Sequence, residues 1–136
     1  RRAANMAFQC VIVTPEQQAL DEQATQAIVP AWDGQEGILS DHAPLLVKLG
    51  TGALRVDLAA GRSRTFVIDG GIAQMKDNRL TILTSHAIPA EQIDPESARA
   101  ELAEAEARVP TDAKSRDDRA RQLARARAKQ QVAQSR

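Results

Sequence analysis

The sequence predicts a β-sandwich followed by a C-terminal α-helical hairpin. Two observations carry this. Short β-branched runs alternate with Gly, Pro and Asx turn signals up to Asp94, and from Pro95 the apolar period changes from two to near 3.6. The aromatics agree: only Phe8, Trp32 and Phe66 occur among 136 residues. A core without large rings rests on Val, Ile and Leu, which suits a small sheet protein. The expected division is a sandwich over residues 1–94 and a hairpin over 95–136.

Arg1 to Asn5 read as the tail of an Arg-rich targeting segment or a product of start-site choice, and are left out of the fold. The first strand is expected over Ala7–Val13, ending at Thr14-Pro15. A second covers Thr25–Pro30 and ends near Asp33-Gly34. Leu45–Leu49, Ala53–Leu58, Thr65–Asp69, Ile72–Lys76 and Leu80–Thr84 follow, separated at Gly50-Thr51-Gly52, Ala60-Gly61, Gly70-Gly71 and Asp77-Asn78. Strands so closely spaced describe an antiparallel sandwich or barrel. Two hairpins stand out, one turning at Ala60-Gly61 and one at Asp77-Asn78.

Asp94 can cap a helix whose first residue is Pro95. Ala98, Leu102, Ala105 and Val109 then form one thin apolar stripe. Pro110-Thr111-Asp112 breaks this helix and recaps a second, about residues 113–134, with Ala120, Leu123, Ala124 and Val132 as its apolar face. An alanine-rich seam packs weakly, because a large aliphatic side chain contributes about 1.5–3 kcal/mol on burial and Ala far less. The hairpin is therefore expected to be able to detach.

The chain is neutral overall, but the second helix is not. Lys114, Arg116, Arg119, Arg121, Arg125, Arg127, Lys129 and Arg136 face only Asp117 and Asp118, a local net charge of +6 against −6 elsewhere. This is either a solvated helix face or a basic arm for an acidic surface. The helices carry no aromatic residue to stack on bases, which argues against nucleic acid. No apolar run reaches the roughly 18 residues that span a bilayer, so no direct membrane insertion is expected.

Chemistry finds little support. Ser40, Asp41 and His42 are consecutive, and adjacent side chains point apart, so they do not form a triad. Cys10 lies in an apolar run and reads as a small core residue. His42 and His86 without cysteine partners make no zinc site. The glycines fit neither the phosphate-loop nor the dinucleotide spacing. No catalytic residue, metal or cofactor is expected. Instead, Gly37 is read as a turn, Pro44 as a stiff exit, and Leu45-Leu46 as anchors, so that Glu36–Leu46 forms a shaped surface loop beside Trp32, itself expected at an interface.

These same residues carry a resemblance. Thr14-Pro15-Glu16, then Gly37-Ile38-Leu39-Ser40-Asp41-His42-Ala43-Pro44-Leu45-Leu46, resembles the TPE … GxLGILPGHAPLL signature of the ε subunit of bacterial F-type ATP synthases, the family that includes the mitochondrial δ subunit. Ser40-Asp41 stands where Pro-Gly is usual. Gly50–Val56, Phe66–Ile72, Leu80–Leu83 and Ile93-Asp94 match further landmarks in order. The resemblance implies a sandwich of about ten antiparallel strands with a two-helix C-terminal hairpin. It implies a non-catalytic rotor subunit of the central stalk that joins the γ subunit to the c-subunit ring. Trp32, Asp33, Gln35 and Glu36 would face the c-ring, and Thr14, Asp41, His42 and Val47 would face γ. The hairpin would reach the α/β catalytic subunits and inhibit hydrolysis through Arg116, Arg119, Arg121, Arg125 and Arg127.

Some relatives bind ATP on the hairpin through I/L-D-x-x-R-A. Here Asp94 and Arg99 are the matching candidates, but the Arg-Ala pair comes two residues late, which turns Arg99 by roughly 200° on a helix, and Ile88 stands where the family has an acid. The implied location is the cytoplasmic face of a bacterial inner membrane as a peripheral subunit, or else the matrix side of the mitochondrial one; the short start favours the bacterial one. Two rival readings are a free-standing regulatory module whose basic helix binds an acidic protein or RNA, and a small enzyme using His42.

Overall fold

The computed structural model describes residues 7–135; the expectations for Arg1 to Asn5 and for Arg136 lie outside them. Seven strands precede two helices: β1 (Phe8–Val13), β2 (Gln18–Ala31), β3 (Gly34–Leu39), β4 (Leu45–Leu58), β5 (Ser63–Lys76), β6 (Arg79–Leu83) and β7 (Ala87–Pro89), then a 3-10 turn at Ala90–Gln92, α1 (Pro95–Ala107) and α2 (Ala113–Ser135).

The strands follow the order β1-β6-β5-β4-β2-β3, and β1 also pairs with β2. The circuit therefore closes, as a flattened barrel. Two expectations need correction. The count is seven among the described residues, because β2, β4 and β5 are 14 residues each and run through both layers. Counting each by its two halves gives the expected ten. The sheet is also not wholly antiparallel: β1 runs parallel to β6, Gln9 opposite Arg79 through Val13 opposite Leu83.

The long strands pass between layers by slipping their in–out alternation. On β4 the core takes Leu45, Val47 and Leu49, then Leu54, Val56 and Leu58. On β5 it takes Phe66 and Ile68, then Ala73 and Met75; on β2, Leu20 and Ala24, then Ala27 and Val29. Since side chains alternate with a period of two, each change of parity in these core positions marks a bend. Gly50-Thr51-Gly52 and Gly70-Gly71 are thus bends within continuous strands, not the expected boundaries. At Gly71 φ is +120°, and a Cβ there would lie 2.0 Å from the Leu83 carbonyl oxygen. Only glycine permits this crossing.

Both expected hairpins form. Asp77 and Asn78 take φ of 52° and 59° between paired Lys76 and Arg79, a tight turn of the primed type. Two strands were missed altogether, β3 and the short β7, which pairs with β5. Gly37 lies within β3 opposite Ile28, and Ile38 is fully buried, so the expected turn at Gly37 is wrong.

Asp94 caps α1, its Oδ2 accepting Ser97 N at 3.0 Å and Ser97 Oγ at 2.9 Å, with Pro95 leading the helix. Asp112 Oδ1 accepts Ser115 N at 2.8 Å before α2, and Ser115 Oγ returns a contact to Asp112 N. The stripes differ from expectation at their ends. Ala98 and Ala105 are buried, but Val109 is 80% exposed. On α2 the buried side chains are Leu123, Ala126, Ala128, Val132 and Ala133, whereas Ala120 is exposed. A helix of 23 residues buries only the turns that meet the sheet or α1.

Candidate functional site

Among the described residues six large apolar side chains are exposed; Leu39 and Val109 stand singly, and the other four, Trp32, Leu46, Ile72 and Leu83, mark two surfaces. At the first, Ala31 pairs with Gly34, which leaves Trp32-Asp33 as a two-residue turn between β2 and β3. Trp32 is held by its backbone, N–H donating to Lys48 O at 2.9 Å, while the residue is 68% exposed. Asp33 and Gln35 are exposed beside it, and Glu36 is half-buried on β3.

The second surface is the outer face of β4, β5 and β6. Leu46 stands opposite Gln74, and Ile72 lies between Lys48 and Leu83. Leu46 is 71% exposed, and Ile72 and Leu83 are also exposed; the expected anchoring role of Leu46 is therefore wrong, since only Leu45 turns to the core. Leu83 borders an open, mainly apolar notch with Val13, Thr14, Pro15, Gly71 and Thr84. Thr14 builds its rim: Thr14 Oγ1 donates to Gln17 O at 3.0 Å and accepts Gln17 N at 3.2 Å.

At the other end of this face lies the Ser40–Pro44 turn. Asp41 takes φ 62°, and its N–H donates to Asn78 Oδ1 at 2.8 Å, while Asn78 Nδ2 donates to Ala7 O at 2.8 Å. Asn78 thus ties three chain segments together and sets the turn. His42 Nδ1 donates to its neighbour Ala43 O at 2.9 Å, and His42 N to Leu39 O at 3.2 Å. Thr14, Asp41 and His42 border one face from opposite ends. Val47 does not share it: its side chain packs against the core. Leu46, Ile72 and Leu83 are the residues that sequence reasoning missed. Their signal was present, as apolar residues out of phase with the core positions on their own strands.

The basic residues of α2 divide by what they touch. Arg119 donates to Arg108 O at 2.8 Å and Glu106 O at 3.0 Å, closing the open end of α1. Arg125 pairs with Asp69 of β5 at 3.4 Å, and Lys129 with Glu101 of α1 at 3.0 Å. Arg116, Arg121 and Arg127 are exposed. Asp94 is engaged as the α1 cap, and Arg99 pairs with Glu96 at 2.8 Å. A shallow hollow beside Asp94 is lined by Ile88, Ser97, Glu101 and Lys129, without Arg99. Among the described residues no cluster of His, Cys, Asp and Glu could hold a metal ion.

Residues 7–90 match the family described as ATP synthase, Delta/Epsilon chain, beta-sandwich domain. The chain belongs to this family. Among curated delta/epsilon relatives, the ATP synthase epsilon chain of Rhodopirellula baltica is 42% identical over 100 residues, 74% of this chain and 77% of that one. That of a Synechococcus strain is 38% identical over 130 residues, 90% of this chain and 91% of that one. A chain in the Euglena gracilis mitochondrial ATP synthase, solved as an OSCP/F1/c-ring assembly, superposes with a TM-score of 0.81 at 26% identity, covering 90% of this chain and 78% of that chain. A central stalk/c-ring structure of the Tetrahymena thermophila mitochondrial ATP synthase holds a chain of the same fold, with a TM-score of 0.70 at 16% identity over 92% of this chain and 95% of that one. As a delta/epsilon chain the protein is a non-catalytic subunit of an ATP synthase. The partner of His42 is accordingly a backbone carbonyl of its own turn.

Proposed function

We propose that this chain is a rotor subunit of the central stalk that ties γ to the c-subunit ring, so that torque passes between proton flow and ATP synthesis. The observation that carries the reading is the distribution of exposed large apolar side chains: Trp32 on one turn, and Leu46, Ile72 and Leu83 on a separate sheet face. A linker needs two such surfaces, and isolated apolar patches on a monomer mark partners. The Trp32–Glu36 turn meets the c-ring. The face from His42 through Leu46, Ile72 and Leu83 to Thr14 meets γ. The hairpin is a second, separable unit that regulates ATP hydrolysis by reaching the catalytic subunits with Arg116, Arg121 and Arg127. No helix among the described residues is long and apolar enough to cross a membrane; the chain works as a peripheral subunit on the cytoplasmic side of a bacterial inner membrane, held there by its partners.

Co-purification from the native membrane tests this. The chain should stay with γ after a salt wash, and Leu46→Glu should release it while leaving the isolated chain folded. A folded Leu46→Glu chain that still holds γ would overturn the γ-facing assignment.

A further inference from the structure

The hairpin is seated on the sheet by a thin contact. Ala128, Val132 and Ala133 of α2 cover Val67, with Ala53 and Ile88 at the margin. These are mostly small side chains, and small apolar contacts alone give a shallow minimum. Beside them sits one polar contact of a different kind. Asp69 lies on β5, two residues beyond Val67 and next to the Gly70-Gly71 bend, with its side chain 14% exposed. Its Oδ1 accepts Thr51 Oγ1 at 2.7 Å, and its Oδ2 faces Arg125 Nη1 of α2 at 3.4 Å. Thr51 is paired with Asp69 across β4 and β5, so the carboxylate is held in place by the sheet before the helix arrives.

We infer that Asp69, oriented by Thr51, is the latch that keeps the hairpin docked, with Arg125 as its removable partner. Among the described residues no other ion pair joins a helix to a strand: Lys129–Glu101 joins α2 to α1, and Arg64–Glu91 joins β5 to the 3-10 turn. The latch therefore differs in kind from contacts that hold the hairpin together. A carboxylate this sheltered is desolvated by the docked helix, and release returns both charges to water, so the pair is balanced rather than permanent. Release leaves the apolar patch to hold the hairpin unaided. An acidic surface competing for Arg125 would loosen the hairpin by the same route. This deepens the regulatory reading of the hairpin, but it concerns the isolated chain and stands or falls apart from any effect on the enzyme.

Amide hydrogen exchange on the full chain tests it, read over Leu123–Ala133 of α2 and over Phe66–Ile68 of β5. Asp69→Asn and Arg125→Gln should each speed exchange in α2 by about five- to tenfold, the range of an ordinary net hydrogen bond rather than a strong charged one, since the contact is 3.4 Å long. The strand segment should be unchanged. Arg116→Gln removes the same charge from an exposed site elsewhere on α2, away from Asp69, and should have no effect. The double variant should exceed neither single one, because both break one interaction. Added salt at 0.5 M should speed α2 exchange in the unsubstituted chain and not in Arg125→Gln. Arg125→Gln alters only the helix surface, so it decides the matter even where Asp69→Asn loosens the strand. An Arg125→Gln chain that exchanges like the unsubstituted one, or an Arg116→Gln chain that exchanges as fast as Arg125→Gln, would overturn the latch and leave docking to the apolar patch or to net helix charge.

Discussion

Gly71 shows how much one residue can decide. Its φ of +120° and the Leu83 carbonyl at 2.0 Å from any added Cβ leave no room for a side chain. Gly71→Ala should cost about 3 kcal/mol, since strain and displacement of a backbone neighbour act together; the urea unfolding midpoint reads it. Cys10 is a milder case. Burial, with Asp21 adding to it, pushes its thiol from 9.0 up to about 12. A group whose pKa is raised on folding stabilises fully below its unfolded value and loses that contribution as pH rises. From pH 9 toward 12 the unfolded chain releases this proton first, so stability should fall by about 1.4 kcal/mol per pH unit on this account. Comparing alkaline unfolding of Cys10→Ala with the parent chain isolates the slope. Parallel alkaline limbs would show that the thiol ionises as freely in the fold as outside it.

At the level of elements, the helix caps were legible because a cap is local. Asp94 sits three residues before the N–H it accepts, and Pro95 occupies the position where its missing donor costs nothing. Asp94→Ala should lower the stability of α1 by about 1 kcal/mol, seen as lost helical circular dichroism with an unchanged sandwich. Strand ends were less legible. Gly50 and Gly70 read as turns because glycine more often ends a strand, but here it lets a strand bend and re-phase. The relation of hairpin to sheet follows from the same bends. They turn Ala53 and Val67 outward, under α2. A chain ending at Asp94 should still fold, but with Val67 uncovered it should be about 2 kcal/mol less stable, as measured by urea denaturation. Failure of the truncated chain to fold would show that the helices belong to the same cooperative unit.

For the whole molecule, the two proposed partner surfaces lie at separate places on a rigid frame. Trp32 and the Ser40–Pro44 turn are at opposite ends of β3, whose six residues span about 17–20 Å. Trp32→Ala should therefore weaken coupling of proton flow to ATP synthesis without weakening the sandwich or the grip on γ. The assembled enzyme tests the hairpin. Reversing charge at Arg116, Arg121 and Arg127 should raise ATP hydrolysis, and raised salt should mimic it, because exposed charges are screened beyond about 10 Å at 0.1 M. Arg119 and Arg125 are poor choices for this assay, as both are engaged within the chain. Equal hydrolysis by the intact and charge-reversed enzymes at every salt concentration would make the hairpin a passive appendage.

Local rules and short motifs determined a good deal here. Hydrophobic period marked the change from strands to helices at Asp94, Asx residues marked both helix starts and the Asp77-Asn78 turn, and the order of motifs from Thr14 to Ile93 carried the family. What only the tertiary structure decided depends on residues far apart in the chain. The sequence does not show that β1 lies parallel to β6 and closes the barrel, since that pairing joins segments some seventy residues apart. Nor does it show that Leu46 faces out while Val47 faces in, because the phase of an alternating strand is fixed by what packs on it. The basic helix makes the point most clearly. Composition gives Arg119, Arg121 and Arg125 as one charged face, whereas packing assigns one to a helix end, one to solvent and one to Asp69, because a long side chain takes whichever partner the fold brings within reach.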